Sequence, residues 1–207
     1  PEAVRKGLLL DPWVFEKAKE IRRVSAASLS HPDALAKLAL DAELSVRCRV
    51  AANPSTPPEV LMHLARDEEQ WVRKEVSENP SATSDVLMYL ANDKEWQVRQ
   101  GVSANSNATS GVLQLLATDS EGWIKSCVAS HPNTNLATLQ ELAKGSMSDY
   151  GVFGKIASNR NVTLDFIETL IQEAQLRSVN FNRPVFLSRK EKLIACDPST
   201  PFIQLEE

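Results

Sequence analysis

A repeat of 26 residues is the feature that most limits how this chain can fold. Residues 52–73 read ANPSTPPEVLMHLARDEEQWVR, and residues 78–99 read ENPSATSDVLMYLANDKEWQVR. Apolar residues recur at this step through five consecutive units: Val24, Val50, Val76, Val102 and Val128; Leu35, Leu61, Leu87, Leu113 and Leu139; Leu38, Leu64, Leu90, Leu116 and Leu142. A sixth unit follows at Ile156 after two extra residues, and a degenerate seventh begins at Ile194. A period of this length indicates a repeat array, in which each unit buries its apolar face against its neighbours.

Each unit has the signals of two short helices. In one unit, Thr56 is the predicted N-cap of the second helix, with Pro57 at N1 and Glu59 completing a capping box. Asn79-Pro80 ends the next first helix, because the residue before a proline is pushed out of the α region. No stretch alternates between apolar and polar residues over the length of a strand. We therefore predict an all-α solenoid of about seven two-helix repeats, without a β-sheet.

The repeat also sets the predicted domain organisation, a single domain over residues 1–207. Within it we expect regular repeats at 24–171, an N-terminal cap at 1–23, and an insertion with a degenerate terminal repeat or cap at 172–207. Four side chains of the N-terminal cap are expected to cover the first repeat: Trp13, Val14, Ala18 and Ile21.

Composition limits the environment and the cofactors. The chain is 43% hydrophobic and 24% charged, which is typical of a globular protein, and its net charge of −4 gives no reason to expect a polyanion as partner. No apolar run is long enough to cross a bilayer. Cys48, Cys127 and Cys196 are far apart and form no CxxC pair, which argues against disulfides and metal clusters and favours a reducing compartment. We expect a cytoplasmic protein without a metal or cofactor and, because the chain begins at Pro1, a fragment of a longer one.

The motif VRxxVxxNPxTPxxxLxxLAxD, clearest in residues 46–67 and 72–93, resembles the leucine-rich repeat variant family. The third and fourth units depart from it at Ser106 and His131, which replace a proline and an asparagine. The resemblance covers residues 20 to 171 and implies a right-handed superhelix in which α-helices alternate with short 3₁₀ segments. It implies almost nothing about activity. One family member binds an iron–sulfur cluster through N-terminal cysteines, but this chain has no cysteine before position 48, so that cofactor is not carried over.

Two sets of polar residues also recur at the repeat step. The first is basic: Arg47, Arg73, Arg99 and Lys125. A glutamate stands four residues before each of these cations: Glu43, Glu69, Glu95 and Glu121. Four aspartates at the same step add neutralising charge: Asp41, Asp67, Asp93 and Asp119. Such glutamate–cation pairs stabilise helices by about 0.2–0.5 kcal/mol each, so we favour a structural role over a cationic ladder for phosphates.

The second set consists of four asparagines and an aspartate: Asn53, Asn79, Asn105, Asn159 and Asp197. We expect these side chains to hydrogen-bond backbone groups at helix ends rather than to bind a ligand.

The candidate binding residues are those that the repeat's own packing leaves free. Five belong to the outward face of the second helices: Met62, His63, Met88, Tyr89 and Leu115. Three tryptophans lie on the N-terminal turns of first helices, where we favour packing between repeats over a binding ridge: Trp71, Trp96 and Trp123. Phe181 and Phe186 lie in the segment 172–193, which breaks the period and is either an end cap, the interpretation we favour, or a binding loop.

These observations predict a non-catalytic repeat scaffold that binds another protein or a peptide. No catalytic residue is predicted, because the three histidines, His31, His63 and His131, occupy three different repeat positions and do not converge. Two alternatives stay open. One is a nucleic-acid-binding helical-repeat protein of the HEAT-like glycosylase type, which the matched acids make unlikely. The other is an accessory module of a larger enzyme.

Overall fold

A computed structural model describes residues 12–145, 150–176 and 183–196. These residues form thirteen α-helices and no β-strand, which confirms the predicted all-α class. The helices are α1 (Pro12–Ser28), α2 (Pro32–Leu38), α3 (Leu44–Ala52), α4 (Pro58–Leu64), α5 (Gln70–Glu78), α6 (Ser84–Leu90), α7 (Trp96–Ala104), α8 (Ser110–Leu116), α9 (Gly122–Ser130), α10 (Leu136–Gly145), α11 (Tyr150–Ser158), α12 (Leu164–Leu176) and α13 (Arg183–Cys196).

In the regular repeats a first helix of nine residues alternates with a second helix of seven, as α3 and α4 do. The ends of the short second helix tighten into 3₁₀-type turns. In α4 the Val60 N–H donates to the Pro57 carbonyl (3.0 Å), and the Asp67 N–H donates to the Leu64 carbonyl (3.1 Å). These bonds between residues three apart satisfy backbone groups that so short a helix otherwise leaves unpaired.

Contacts divide the chain into two compact units, residues 1–107 and 108–207. In the first unit the first helices pack in succession, α1 on α3, α3 on α5 and α5 on α7, while each second helix packs on its neighbours along the chain. In the second unit α9 packs on α11 and α11 on α13, and α12 also packs on α13. Each unit is therefore a stack of nearest neighbours, which is the arrangement expected of a solenoid. The single domain stays a prediction.

The core of each unit consists of the apolar residues that recur at the repeat step. In the first unit Val50, Val76, Leu61 and Leu64 have no exposed surface, and in the second Val128, Leu113 and Leu139 have none. Burying a leucine side chain stabilises the fold by about 1.5–3 kcal/mol, so each repeat gains most of its stability here.

The first repeat departs from the predicted register. Val24, expected in the core, is 56% exposed, and Ile21, expected to cover the repeat, is 59% exposed. Ala26 is buried instead. The physical reason is the missing Asn-Pro stop: residues 27–28 are Ala-Ser, so α1 continues to Ser28 and turns different residues toward its neighbours. Three other predicted cap residues lie on α1, but the surroundings of their side chains are outside what the structure describes: Trp13, Val14 and Ala18.

The predicted N-cap Thr56 is also wrong. Pro57 is the N-cap of α4, and Thr56 is buried with its hydroxyl donating to the Val50 carbonyl (2.6 Å). Thr134 makes the equivalent bond to Val128 in the second unit (2.5 Å). The threonine therefore satisfies a carbonyl at the C-terminal end of the preceding first helix rather than an N–H of the following helix.

Candidate binding surface

The arginines at the repeat step join consecutive repeats. Arg47 Nε and Nη2 donate to the two carboxylate oxygens of Asp67 (2.7 and 3.1 Å), twenty residues ahead in the next repeat. Its Nη1 donates to the carbonyls of Asp41 and Ala42 (3.0 and 3.2 Å). The structural role is as predicted, but the partner is not, because the sequence pointed to Glu43. A guanidinium and a carboxylate can form two parallel hydrogen bonds, and Asp67 is placed so that Arg47 makes both of them.

Arg73 repeats this clamp in a more buried setting. It donates to both oxygens of Asp93 (2.6 and 3.1 Å) and to the carbonyls of Asp67 and Glu68 (2.8 and 3.0 Å). The hydrogen bond to Asp93 raises the pKa of the Arg73 guanidinium above its ordinary value. Both side chains of the pair are less than a tenth exposed. These arginines are therefore occupied by the fold and do not form a free surface for phosphates.

Asparagines at the repeat step form a second connection between repeats, the asparagine ladder. Asn79 Nδ2 donates to the carbonyls of Ala51 and Asn53 in the preceding repeat (2.6 and 3.0 Å). Its Oδ1 accepts the N–H of Ser81 (2.7 Å). The same pattern recurs at three other positions: Asn53, Asn105 and Asn159. Their backbone role is as predicted, and Asp197 lies outside the described residues.

In the second unit His131 stands in the place of a ladder asparagine. It is the C-cap of α9 and is only 6% exposed. Its Nδ1 accepts the N–H of Asn133 (3.1 Å), the bond that an asparagine oxygen makes elsewhere. Its carbonyl accepts a hydrogen bond from Asn159 Nδ2 (3.1 Å). His31, by contrast, is the N-cap of α2, without a side-chain capping bond. The described contacts therefore give His131 a structural role at a helix end.

The last described helix of the second unit, α13, also contacts the asparagine ladder. Arg189 on α13 donates from Nη2 to the Asn159 carbonyl (3.1 Å), and Lys190 forms a salt bridge with Glu168 (2.9 Å). Phe181 lies outside the described residues. Phe186 lies on α13, but the structure does not describe the surroundings of its side chain. The boundaries of the terminal cap stay a prediction.

The outward residues of the second helices lie on the surface. On α6, Met88 is 39% exposed and Tyr89 is 48% exposed. On α4, Met62 is half-buried and His63 is exposed. In the second unit, Leu115 on α8 is also exposed. Large apolar groups on the solvent side of a repeat contribute little to its core, and their role in binding a partner stays a prediction.

The tryptophans lie on N-terminal turns of first helices, but not at one repeat position. Trp71 is the second residue of α5, and Trp123 is the second residue of α9. Trp96 is the first residue of α7, one position earlier in the repeat. Trp71 and Trp96 leave about half of their surface exposed, and Trp123 is half-buried. The three therefore do not share one repeat position.

An open groove of about 430 Å³ runs beside Tyr89 in the first unit. The guanidinium of Arg66 lies 5.5 Å from the centre of the Tyr89 ring, a distance typical of a cation–π contact. Asn92 Nδ2 donates to the Met88 carbonyl (3.2 Å), and Lys94 also lines the groove. Sequence reasoning missed Arg66, Asn92 and Lys94. Arg66 and Asn92 occupy the same repeat position but differ in chemistry, and Lys94 occupies another, so no periodic signal marked the three as a group.

A second groove of about 590 Å³ lies between α10 and α12 in the second unit, with Leu136, Phe166 and Leu170 in its lining. Among the described residues, no group of histidines, cysteines and carboxylates is arranged to hold a metal ion. Within the same residues, none of the helices combines the length and the apolar character that crossing a membrane requires.

Comparison with known proteins agrees with the repeat architecture. Residues 47–106 match the family model described as the Leucine Rich Repeat Variant domain. No curated protein and no solved structure gives a significant match to the chain. The matched stretch holds α4 to α7, together with the arginine clamps and the groove beside Tyr89.

Proposed function

Because residues 47–106 belong to the leucine-rich repeat variant family, we propose that the chain is a non-catalytic scaffold that binds another protein or a peptide through its second helices. The exposed pair Met88 and Tyr89 carries the proposal. Both side chains stand on a helix whose other apolar residues are buried: Val86, Leu87 and Leu90. Tyrosine is enriched at binding hot spots, and exposed methionine adapts to varied apolar partners.

The contrast between inward and outward positions supports a binding surface. Positions 61, 87 and 113 are leucine in each repeat and are fully buried. The outward position carries His63, Tyr89 and Leu115 in successive repeats, all of them exposed. Solenoids recognise partners over an extended face built from such variable side chains on a constant frame. A mixture of aromatic, thioether and apolar groups fits a peptide or protein surface.

Charge counts against a nucleic acid as the partner. The two best-described arginines at the repeat step, Arg47 and Arg73, are each neutralised by an aspartate. Nonspecific nucleic-acid binding depends on uncompensated cations that displace counterions from phosphates. The accessory-module alternative remains compatible with a scaffold, since such a module also acts by binding.

A peptide selection tests this proposal. Random peptides displayed on phage would be selected on the full chain, and enriched peptides measured by fluorescence polarisation against wild type and the Met88→Ala/Tyr89→Ala variant. We expect the variant to lose at least about tenfold in affinity, because it removes an aromatic anchor. The matched control is Gln140→Ala/Glu141→Ala, which changes the equivalent exposed positions two repeats later. Equal binding by wild type and the Met88/Tyr89 variant would overturn the proposal.

A further inference from the structure

The groove beside Tyr89 contains two carboxylates whose charge is already compensated. Asp67 is bound by Arg47 (2.7 Å), and Asp93 is bound by Arg73 (2.6 Å). Each carboxylate also accepts a backbone N–H from the residue two positions ahead (3.0 and 2.9 Å). A carboxylate in a bidentate pair with arginine presents little net charge to a ligand. These two acids therefore do not repel an anion that enters the groove.

Two cations in the same groove have no such partner. Arg66 and Lys94 are exposed, and neither forms a salt bridge with any residue in the described part of the chain. Arg66 contacts the Tyr89 ring, which leaves its charge uncompensated. The chain as a whole carries a net charge of −4. The groove is thus a positively charged site on an acidic protein, and such a site attracts anionic groups.

The geometry of Arg66 suits a carboxylate. The Arg66 guanidinium carbon lies over the Tyr89 ring at 5.5 Å, and a cation–π contact does not use up its N–H groups, which remain available for a bidentate bond. The Tyr89 ring restricts the guanidinium, which lowers the entropy lost when a ligand binds. Asn92 Nδ2 is held by the Met88 carbonyl (3.2 Å), which leaves Asn92 Oδ1 to accept a peptide N–H. The groove therefore offers donors for an acid and an acceptor for a backbone.

We propose that this groove binds an acidic segment of a peptide or protein partner. One aspartate or glutamate of the segment pairs with Arg66 and a second with Lys94, while an apolar side chain contacts Tyr89 and Met88. This inference rests on the proposed scaffold function and specifies the chemistry of its partner. Glu68, exposed in the same loop and outside the groove lining, opposes the segment electrostatically and provides a second test.

Three sets of fluorescein-labelled peptides, matched in length and in apolar content, test the charge preference. Their variable positions carry Asp and Glu, the neutral Asn and Gln, or Lys. We expect the acidic set to bind wild type most tightly, with an affinity that falls as salt rises. Arg66→Ala/Lys94→Ala should weaken that binding by about tenfold or more, because it removes both charge-assisted contacts. Glu68→Gln should strengthen it.

A matched control separates the groove from general charge. Lys144→Ala removes a cation at the repeat position of Arg66, three repeats later, and should leave the affinity unchanged. Circular dichroism should show the same thermal midpoint for the groove variants and wild type. Preference for neutral or basic peptides, or equal loss in the Lys144 variant, would overturn the acidic groove and leave the scaffold function standing. Tighter binding of a single-stranded oligonucleotide than of any peptide would also overturn it. Failure of all three peptide sets, together with failure of the phage selection, would contradict both proposals.

Discussion

Removal of the Asp93 carboxylate should destabilise the first unit more than the loss of any single surface ion pair. In Asp93→Ala, the Arg73 guanidinium remains in a site where its side chain is only 8% exposed. It keeps its two bonds to backbone carbonyls but loses both carboxylate bonds. Leaving one member of a buried pair uncompensated costs about 3–5 kcal/mol. We therefore expect a loss of about that size in the free energy of unfolding.

The matched control is the pair at the equivalent aspartate of the first repeat, where the arginine stands one residue later in the repeat. Arg22 donates to Asp41 at 2.6 Å, but its side chain is 36% exposed, so water can replace the lost carboxylate. Asp41 and Asp93 each also accept a hydrogen bond from the backbone N–H two residues ahead (both 2.9 Å). Both alanine variants lose this bond, so it does not contribute to the difference between them. Exposed pairs contribute only about 0.2–1 kcal/mol. Asp41→Ala should therefore cost far less than Asp93→Ala.

Urea unfolding followed by far-ultraviolet circular dichroism measures both losses. A third variant, Arg73→Met/Asp93→Leu, should recover most of the stability, because replacing a buried pair by apolar residues is often nearly neutral. If Asp93→Ala costs no more than Asp41→Ala, the clamp is not a buried connection between repeats, and the reasoning fails.

Three further predictions concern single residues. Asn79→Ala should lower the free energy of unfolding by about 1–3 kcal/mol in urea, and exposed Asn92→Ala by much less, because the ladder side chain satisfies buried carbonyls. Gly101→Ala should lower the thermal midpoint despite its better helix propensity, because the new Cβ overlaps Ser77 Oγ; Ser77→Ala in the same chain should recover part of the loss. Burial raises the pKa of the Cys48 thiol above its ordinary value. The stability that the buried thiol contributes is complete at pH values below its pKa in the unfolded chain, and it is lost as the pH rises through its pKa in the folded chain. Wild type should therefore lose more unfolding free energy than Cys48→Ala above about pH 9.

The sequence predicted the helices and the core because the repeat supplies the same information several times. Leu61, Leu87 and Leu113 are each fully buried, as the period requires. Val24 was mispredicted because the 26-residue period places it in the core. The period does not show that the first repeat lacks the Asn-Pro pair that ends α3 and α5. Thr56 was mispredicted because a capping box considers only the following helix, whereas its hydroxyl bonds back to Val50.

The site was harder to predict because its contacts cross between repeats. Arg47 has a glutamate four residues before it and an aspartate twenty residues after it. Helical spacing favours the first partner, whereas stacking of repeats brings the second to 2.7 Å. The recurrence of Asp67 and Asp93 at the same step as the arginines was a signal for this pairing. The contact between Arg66 and Tyr89 joins different repeat positions and has no such periodic signal.

One comparison tests most directly whether Met88 and Tyr89 form a binding surface: affinity and stability measured on the same purified variants. Met88→Ala/Tyr89→Ala should lose its selected peptides and about 1 kcal/mol or less of unfolding free energy, since both side chains are partly exposed. Leu64→Ala should lose roughly 2–5 kcal/mol, because it opens a cavity at a fully buried position, and should still bind peptide while folded. If the Met88/Tyr89 variant is destabilised as much as Leu64→Ala, those side chains are part of the core, and the proposed surface is contradicted.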